Sequence, residues 1–375
     1  MIQRYYLPLL ESALKPGKVL LIYGPRRSGK TTLLQSFLKN YSGTAYFGTG
    51  DDRAVREILS SERVERIKTA FSGYNCIVID EAQRIPNVGL GLKIMVDSLP
   101  HIPVIASGSS SFELANQIGE PLTGRKKTIH LFPFSVGEIT NQFGAMKVHE
   151  HLENLLLFGL YPEVFTAENR DDKIDYLHEL KEAYLFKDIL MLENIRNPQI
   201  LQDLLRMLAF QIGKDVSLNE LSNGLGIAKQ TVQRYIDLLM KVFVIKRVGG
   251  FSKNLRKEIT KTARYYFIDN GIRNAVINNF SFPESRNDMG MLWENFMFSE
   301  RMKYREHHGI RANIYFWRTY SGQEIDMIEE REGLLYGYEF KWGTKRIRPP
   351  RLWQDTYPNS KYSVVNTENY LTYLL

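Results

Sequence analysis

Short apolar runs that stop abruptly at polar or glycine-rich turns dominate the first third of the chain. Val19-Leu20-Leu21-Ile22-Tyr23, Cys76-Ile77-Val78-Ile79 and Ile102-Pro103-Val104-Ile105-Ala106 show no polar alternation, the pattern of strands buried on both faces. Ala45-Tyr46-Phe47 suits a further strand between the first two, and Asp52 with Arg53 then opens a polar helix. Thr32–Leu38 carries apolar residues at helical spacing, as do Leu152–Phe165, Tyr176–Leu192 and Ile200–Ile212. Ser217 stands three residues before Glu220, as in a capping box, and the tight turn Gly224-Leu225-Gly226-Ile227 follows. Ala228–Leu239 is then a strongly amphipathic helix with Lys229, Gln230, Gln233 and Arg234 outward. Helix, glycine turn and second helix predict a helix-turn-helix, with Val242–Ile245 and Tyr265–Ile268 as the strands of a wing. Towards the end, Trp293–Met297 opens a helix, and Ile314–Arg318, Gly322–Ile328 and Leu335–Lys341 read as strands. Alternating strands and helices predict an α/β fold.

The chemistry concentrates after the first strand. Gly24-Pro25-Arg26-Arg27-Ser28-Gly29-Lys30-Thr31 fills every fixed position of the phosphate-loop pattern G-x-x-x-x-G-K-[ST]. A strand running through a glycine-bounded loop into a helix aims several backbone N–H groups at one spot, where they cradle phosphate oxygens. Lys30 supplies a charge for the terminal phosphates, the Thr31 hydroxyl suits Mg²⁺, and Thr32 continues the binding segment. The expected ligand is ATP with Mg²⁺. The second strand ends in Asp80-Glu81, which places Asp80 beside the loop to hold Mg²⁺ and Glu81 to orient and deprotonate water. The third strand ends in Ser107-Gly108-Ser109-Ser110-Ser111. Ser109, with Ser107 close behind, is expected near the γ-phosphate or the attacking water; the same serines equally suit an N-cap for Phe112–Ala115.

At 375 residues the chain exceeds one ordinary core, and two to four domains are expected. No apolar run is long enough to span a bilayer, and the start lacks the apolar core of a signal peptide, so a cytoplasmic protein with no membrane partner is expected. The single cysteine, Cys76, excludes an intramolecular disulfide and a cysteine zinc cluster. A net charge of +7 favours an anionic partner such as DNA or another nucleic acid, or simply solvates the surface. The strongest local excess lies at Lys246, Arg247, Lys253, Arg256 and Lys257, with a second at Lys341–Arg351.

Gly24–Thr31, Ile79-Asp80-Glu81-Ala82-Gln83 and Ser107-Gly108-Ser109-Ser110 together resemble the AAA-type ATPases whose C-terminal region is the domain of unknown function 4143. Leu122-Thr123-Gly124-Arg125 and Leu131-Phe132-Pro133-Phe134-Ser135 match the family's next block, and Arg26-Arg27 its Gly-Pro-Arg-Arg opening. The resemblance implies that Arg125 senses phosphate, in cis or from a neighbouring subunit, so a homo-oligomer is open. It also implies a helical lid around Phe158–Glu163. Lys187-Asp188 reads as lid packing or a salt bridge, not catalysis.

The C-terminal strands carry a second pattern. Side chains two apart share a strand face, which sets Glu339 with Lys341, and a hairpin brings Asp326 beside Glu339. Two carboxylates and a lysine on neighbouring strands are what metal-assisted phosphodiester cleavage uses. With Glu294 on a helix, the set resembles the restriction-endonuclease-like core, from which Phe340, Trp342 and Gly343 depart. The expected architecture is an AAA-type parallel sheet over residues 1–135 and a helical lid over 136–205. A winged helix over 206–280 and a restriction-endonuclease-like α/β domain over 281–375 complete it. The expected function is ATP hydrolysis that moves the C-terminal parts on nucleic acid. The alternative is an ATP-dependent switch that docks a protein partner through an inactive nuclease-like fold. No small-substrate pocket suggests a metabolic kinase.

Overall fold

In the computed structural model of the chain, the apolar runs of the first third form one parallel sheet. Its strands are β1 (Val19–Tyr23), β2 (Ala45–Thr49), β3 (Cys76–Asp80), β4 (Val104–Gly108) and β5 (Lys126–His130), in the order β2-β3-β4-β1-β5. The structure describes residues 2–109, 121–183, 197–252, 262–345 and 347–375. Expectations for Ser110, Ser111, Phe112–Ala115, Lys187-Asp188, Lys253, Arg256 and Lys257 fall outside the described residues. The chain divides into two compact units, one of residues 2–134 and 241–243, the other of the remaining described residues.

In the first unit, β1, β3 and β4 are buried at every position, as strands covered on both faces must be. Side chains alternate between two cores. Val19, Leu21, Ile77, Ile79, Val104 and Ala106 join one with Ile67, Phe71, Leu92 and Met95 of two helices. Leu20, Ile22, Val78 and Ile105 join the other with Leu33, Leu34 and Phe37 of the helix Lys30–Asn40. β2 follows β1 in sequence yet lies at the sheet edge; the strand that separates β1 from β3 is β4. That crossover gathers Tyr23, Asp80 and Gly108 at one edge of the sheet.

The second unit begins with helices, among them Val136–Phe143, Leu152–Phe158, Arg170–Glu182 and Pro198–Phe210. Helices Leu218–Leu225 and Lys229–Lys241 follow, with Gly226 left-handed between them. The strands β6 (Ile245–Gly250), β7 (Ala263–Phe267), β8 (Asn313–Arg318), β9 (Glu324–Arg331), β10 (Leu334–Phe340) and β11 (Lys361–Val365) build one mixed sheet, ordered β11-β10-β9-β8-β6-β7. Of the expected wing strands, Val242–Ile245 meets β6 only at Ile245, whereas Tyr265–Ile268 overlaps β7; the antiparallel pair β6–β7 is part of the C-terminal sheet, joined to β8 by parallel pairing at Gly249–Tyr315 and Gly250–Phe316. On β9, Asp326 and Met327 stand where β8 has only Phe316, because Tyr315 pairs with Ile328 and Trp317 with Ile325. Such a bulge re-aims a side chain, here beside Asp326.

Candidate functional site

The phosphate loop leaves the C-terminal end of β1 and enters the helix at Lys30. Gly29 is left-handed (φ 93°) and Arg27 also has a positive φ (59°), so the loop curls and its amides converge. Gly24 is required by packing, since a Cβ there would lie 2.0 Å from the Leu131 carbonyl oxygen. The Lys30 ammonium, nearly buried, donates to the carbonyls of Gly24 and Pro25, each at 2.8 Å. Arg4, which sequence reasoning missed, is buried and braces the same turn. Its guanidinium donates to Ser28 O at 2.7 Å and Phe132 O at 2.5 Å and stacks 4.9 Å from the centre of the Phe134 ring.

Three elements meet at Asp80. Thr31 Oγ1 donates to Asp80 Oδ2 at 2.6 Å, and Ser107 Oγ donates to Asp80 Oδ1. Ser107 thus touches the acidic residue directly, while Ser109 lies buried just past the end of β4. Glu81 adopts a left-handed backbone (φ 49°, ψ 39°), a conformation costing on the order of 1 kcal/mol for a residue with a Cβ. Its N–H reaches Ser107 Oγ at 3.4 Å, and its Oε2 accepts from Gln83 Nε2 at 2.6 Å. Gly50 makes room for this turn, because a Cβ there would meet the Glu81 carbonyl oxygen at 2.2 Å.

These residues fit a magnesium–nucleotide complex. The Ser28 hydroxyl is fully buried in the loop with no hydrogen-bond partner, a donor for which the loop itself supplies no acceptor. A hydroxyl and a carboxylate, the hard oxygen donors that Mg²⁺ prefers, already meet at Thr31 and Asp80. Arg125 is a correction to the cis expectation. Val19 pairs with Lys126 and Tyr23 with His130, so Arg125 precedes β5 at the opposite end of the sheet. The loop is five strand residues away, about 16 Å at ~3.3 Å per residue, beyond the reach of its side chain. The guanidinium instead pairs with Asp97 at 2.7 Å, half exposed.

In the second unit, Glu294, Asp326, Glu339 and Lys341 do come together, but around a residue absent from the sequence reading. Arg264 of β7, almost fully buried, donates to Asp215 Oδ1 at 3.1 Å and Glu324 Oε2 at 2.8 Å. Its Nη1 lies 3.8 Å from Glu294 Oε1 and 3.9 Å from Asp326 Oδ1. Tyr266 donates to Glu294 Oε1 at 2.7 Å, and the Phe340 N–H to Asp326 Oδ2 at 2.8 Å. Lys341 pairs with Glu339 Oε1 at 2.7 Å, whereas Glu339 Oε2 is buried without a hydrogen-bond partner. Burial, then the Asp326 charge, pushes the Glu294 carboxyl well above the usual range. The same two causes lift Glu339 to about 7. Burial also raises Asp326, opposed by Lys341. Among the described residues, no group of three or more His, Cys, Asp or Glu side chains is placed to hold a metal ion. The carboxylates expected as a nuclease-like site are contacted here by protein cations and a tyrosine.

Known proteins match in three blocks. Residues 16–140 match the family model of an AAA domain. Residues 149–282 match a domain of unknown function (DUF8612) and residues 289–373 another (DUF4143). The chain is similar to an uncharacterized protein of Mycobacterium tuberculosis, 28% identical over 339 residues, covering 88% of this chain and 72% of that one. An uncharacterized protein of Methanocaldococcus jannaschii is 24% identical over 382 residues, covering 95% and 82%. Among solved structures, a Walker-type ATPase of Pyrococcus abyssi aligns with a TM-score of 0.49 at 17% identity, covering 74% of this chain and 96% of that one. Among the described residues no helix is long and apolar enough to cross a membrane. This chain joins an AAA-type, P-loop ATPase-like domain to a C-terminal domain of the DUF4143 kind.

Proposed function

We propose that the chain binds and hydrolyses ATP with Mg²⁺ at the loop Gly24–Thr32, and that turnover moves its C-terminal parts. The observation that carries this reading is the convergence of Lys30, Thr31 and Asp80 at the ends of β1 and β3. Backbone amides of the loop and the Ser28 hydroxyl bind phosphate oxygens. Lys30, now held by two carbonyls, offers its ammonium to the terminal phosphates. Thr31 and Asp80 hold Mg²⁺, which when bound neutralises phosphate charge. Glu81 takes the proton of the attacking water, with Gln83 fixing one of its oxygens. Ser107 restrains Asp80, and Ser109 lies close enough in sequence to line the same edge. Arg26 and Arg27 add positive charge around the nucleotide. Arg125 serves only across a subunit boundary, in a homo-oligomer.

Nucleic acid, DNA first, is the proposed target. The net charge of +7 supports it, as do exposed Lys229, Gln230, Arg234, Lys246 and Arg247. Phosphate release is to be measured on wild type, Lys30→Ala and Glu81→Gln, with and without DNA. Lys30→Ala should lose nucleotide binding, and Glu81→Gln should bind nucleotide yet lose turnover. Full turnover in Glu81→Gln would remove it from the mechanism. No stimulation by DNA would instead favour a switch that docks a protein. If Arg125 acts in trans, mixing Arg125→Ala with Lys30→Ala chains should restore part of the turnover.

A further inference from the structure

The acidic cluster of the second unit places five carboxylates, Asp215, Glu294, Glu324, Asp326 and Glu339, around Arg264 and Lys341. Buried carboxylates need paired cations or metal ions. We propose that Arg264 is the resident cation of this cluster, standing between the helical Glu294 and the strand Asp326, and that the intact chain therefore takes no divalent ion there.

One nitrogen, Arg264 Nη1, lies within 4 Å of both Glu294 Oε1 and Asp326 Oδ1. A magnesium ion shared by those two oxygens needs each at about 2.0–2.1 Å, in space the guanidinium fills. The guanidinium is not a loose surface group that swings away. Its other nitrogens are held by Asp215 and Glu324, and its carbon lies 4.5 Å from the centre of the Phe316 ring. Phe316 is the β8 residue opposite the bulge that carries Asp326, so one arginine both packs on the bulge and neutralises it. Three carboxylates of the cluster also accept from other protein donors. Glu294 accepts from Tyr266, Asp326 from the Phe340 N–H, and Glu339 from Lys341. Glu339 Oε2 is buried without a hydrogen-bond partner.

The test is Mn²⁺ binding to the full chain without nucleotide, followed by the loss of the free-ion paramagnetic resonance signal. Omitting nucleotide, and leaving Asp80 intact in every variant, keeps the outcome separate from the ATPase reading. Wild type and Asp326→Asn should bind indistinguishably up to millimolar Mn²⁺. Arg264→Gln should gain at least tenfold in affinity, and Asp326→Asn added to it should abolish the gain. Stoichiometric binding by wild type that Asp326→Asn removes would overturn the proposal, and this pair decides even if Arg264→Gln fails to fold. A folded Arg264→Gln chain that gains nothing would also overturn it, since the guanidinium would not be what keeps the ion out.

Discussion

Glu339 makes the stability of the second unit depend on pH in a direction opposite to that of a salt-bridged surface acid. Its carboxyl stands at about 7, against a usual value of 4.5, because burial and the neighbouring Asp326 disfavour the charged form. The folded chain therefore holds a proton that the unfolded chain releases between these two values. Stability from this group is fully present below pH 4.5, falls as pH rises through the window, and is gone above about 7. The difference of roughly 2.5 pH units corresponds to at most about 3.4 kcal/mol at ~1.36 kcal/mol per unit. Because Glu339 shares protons with Asp326, its own part is on the order of 1–3 kcal/mol. Glu339→Gln keeps the shape and removes the ionisation. All four tryptophans, Trp293, Trp317, Trp342 and Trp353, belong to the second unit. Their fluorescence during urea unfolding at pH 5, 6, 7 and 8 therefore reports this unit alone. Wild type should lose stability relative to Glu339→Gln across that range. Parallel curves for the two proteins would refute the reasoning.

Three further outcomes are expected. Gly24→Ala pushes a Cβ to 2.0 Å from the Leu131 carbonyl and should lower ATP affinity at least about tenfold, read by calorimetry, with tryptophan-reported unfolding unchanged. Gln83→Ala releases Glu81 Oε2 and should reduce kcat several-fold while leaving nucleotide affinity within about twofold, in a phosphate-release assay. Gly159→Ala, at φ +75°, places a Cβ 2.0 Å from Asp269 Oδ1, which accepts from the Gly271 and Ile272 amides. It should destabilise the second unit by about 3 kcal/mol or more, measured by urea unfolding.

The phosphate loop, the acidic end of β3 and the three C-terminal strands were legible because each is a contiguous stretch with its own pattern. Predicted strands at Ile314–Arg318, Gly322–Ile328 and Leu335–Lys341 correspond to β8, β9 and β10. Ser107 was legible only as a neighbour of Ser109, since which serine meets Asp80 depends on the register of β3 against β4, Ile79 beside Ala106. Arg4 carried no signal: it lies outside every motif, and its partners are the carbonyls of Ser28 and Phe132. Arg264 sits in a run of aromatic residues that reads as an ordinary strand. Its weight comes from Asp215, Glu294, Glu324 and Asp326, which are distant along the chain.

By itself, then, the order of residues determined the local pieces: a loop able to grip phosphate, buried strands, amphipathic helices and an acid–lysine pattern. Those depend on covalent neighbours and on the periods of helix and strand. Only the tertiary structure decided that β4 separates β1 from β3, that Arg125 stands at the far end of the sheet, and that the β6–β7 hairpin completes the C-terminal sheet. It also decided that an arginine occupies the acidic cluster. Such placements follow from which distant strands pair and which charges must be neutralised once buried, and neither is written in any single stretch of the chain.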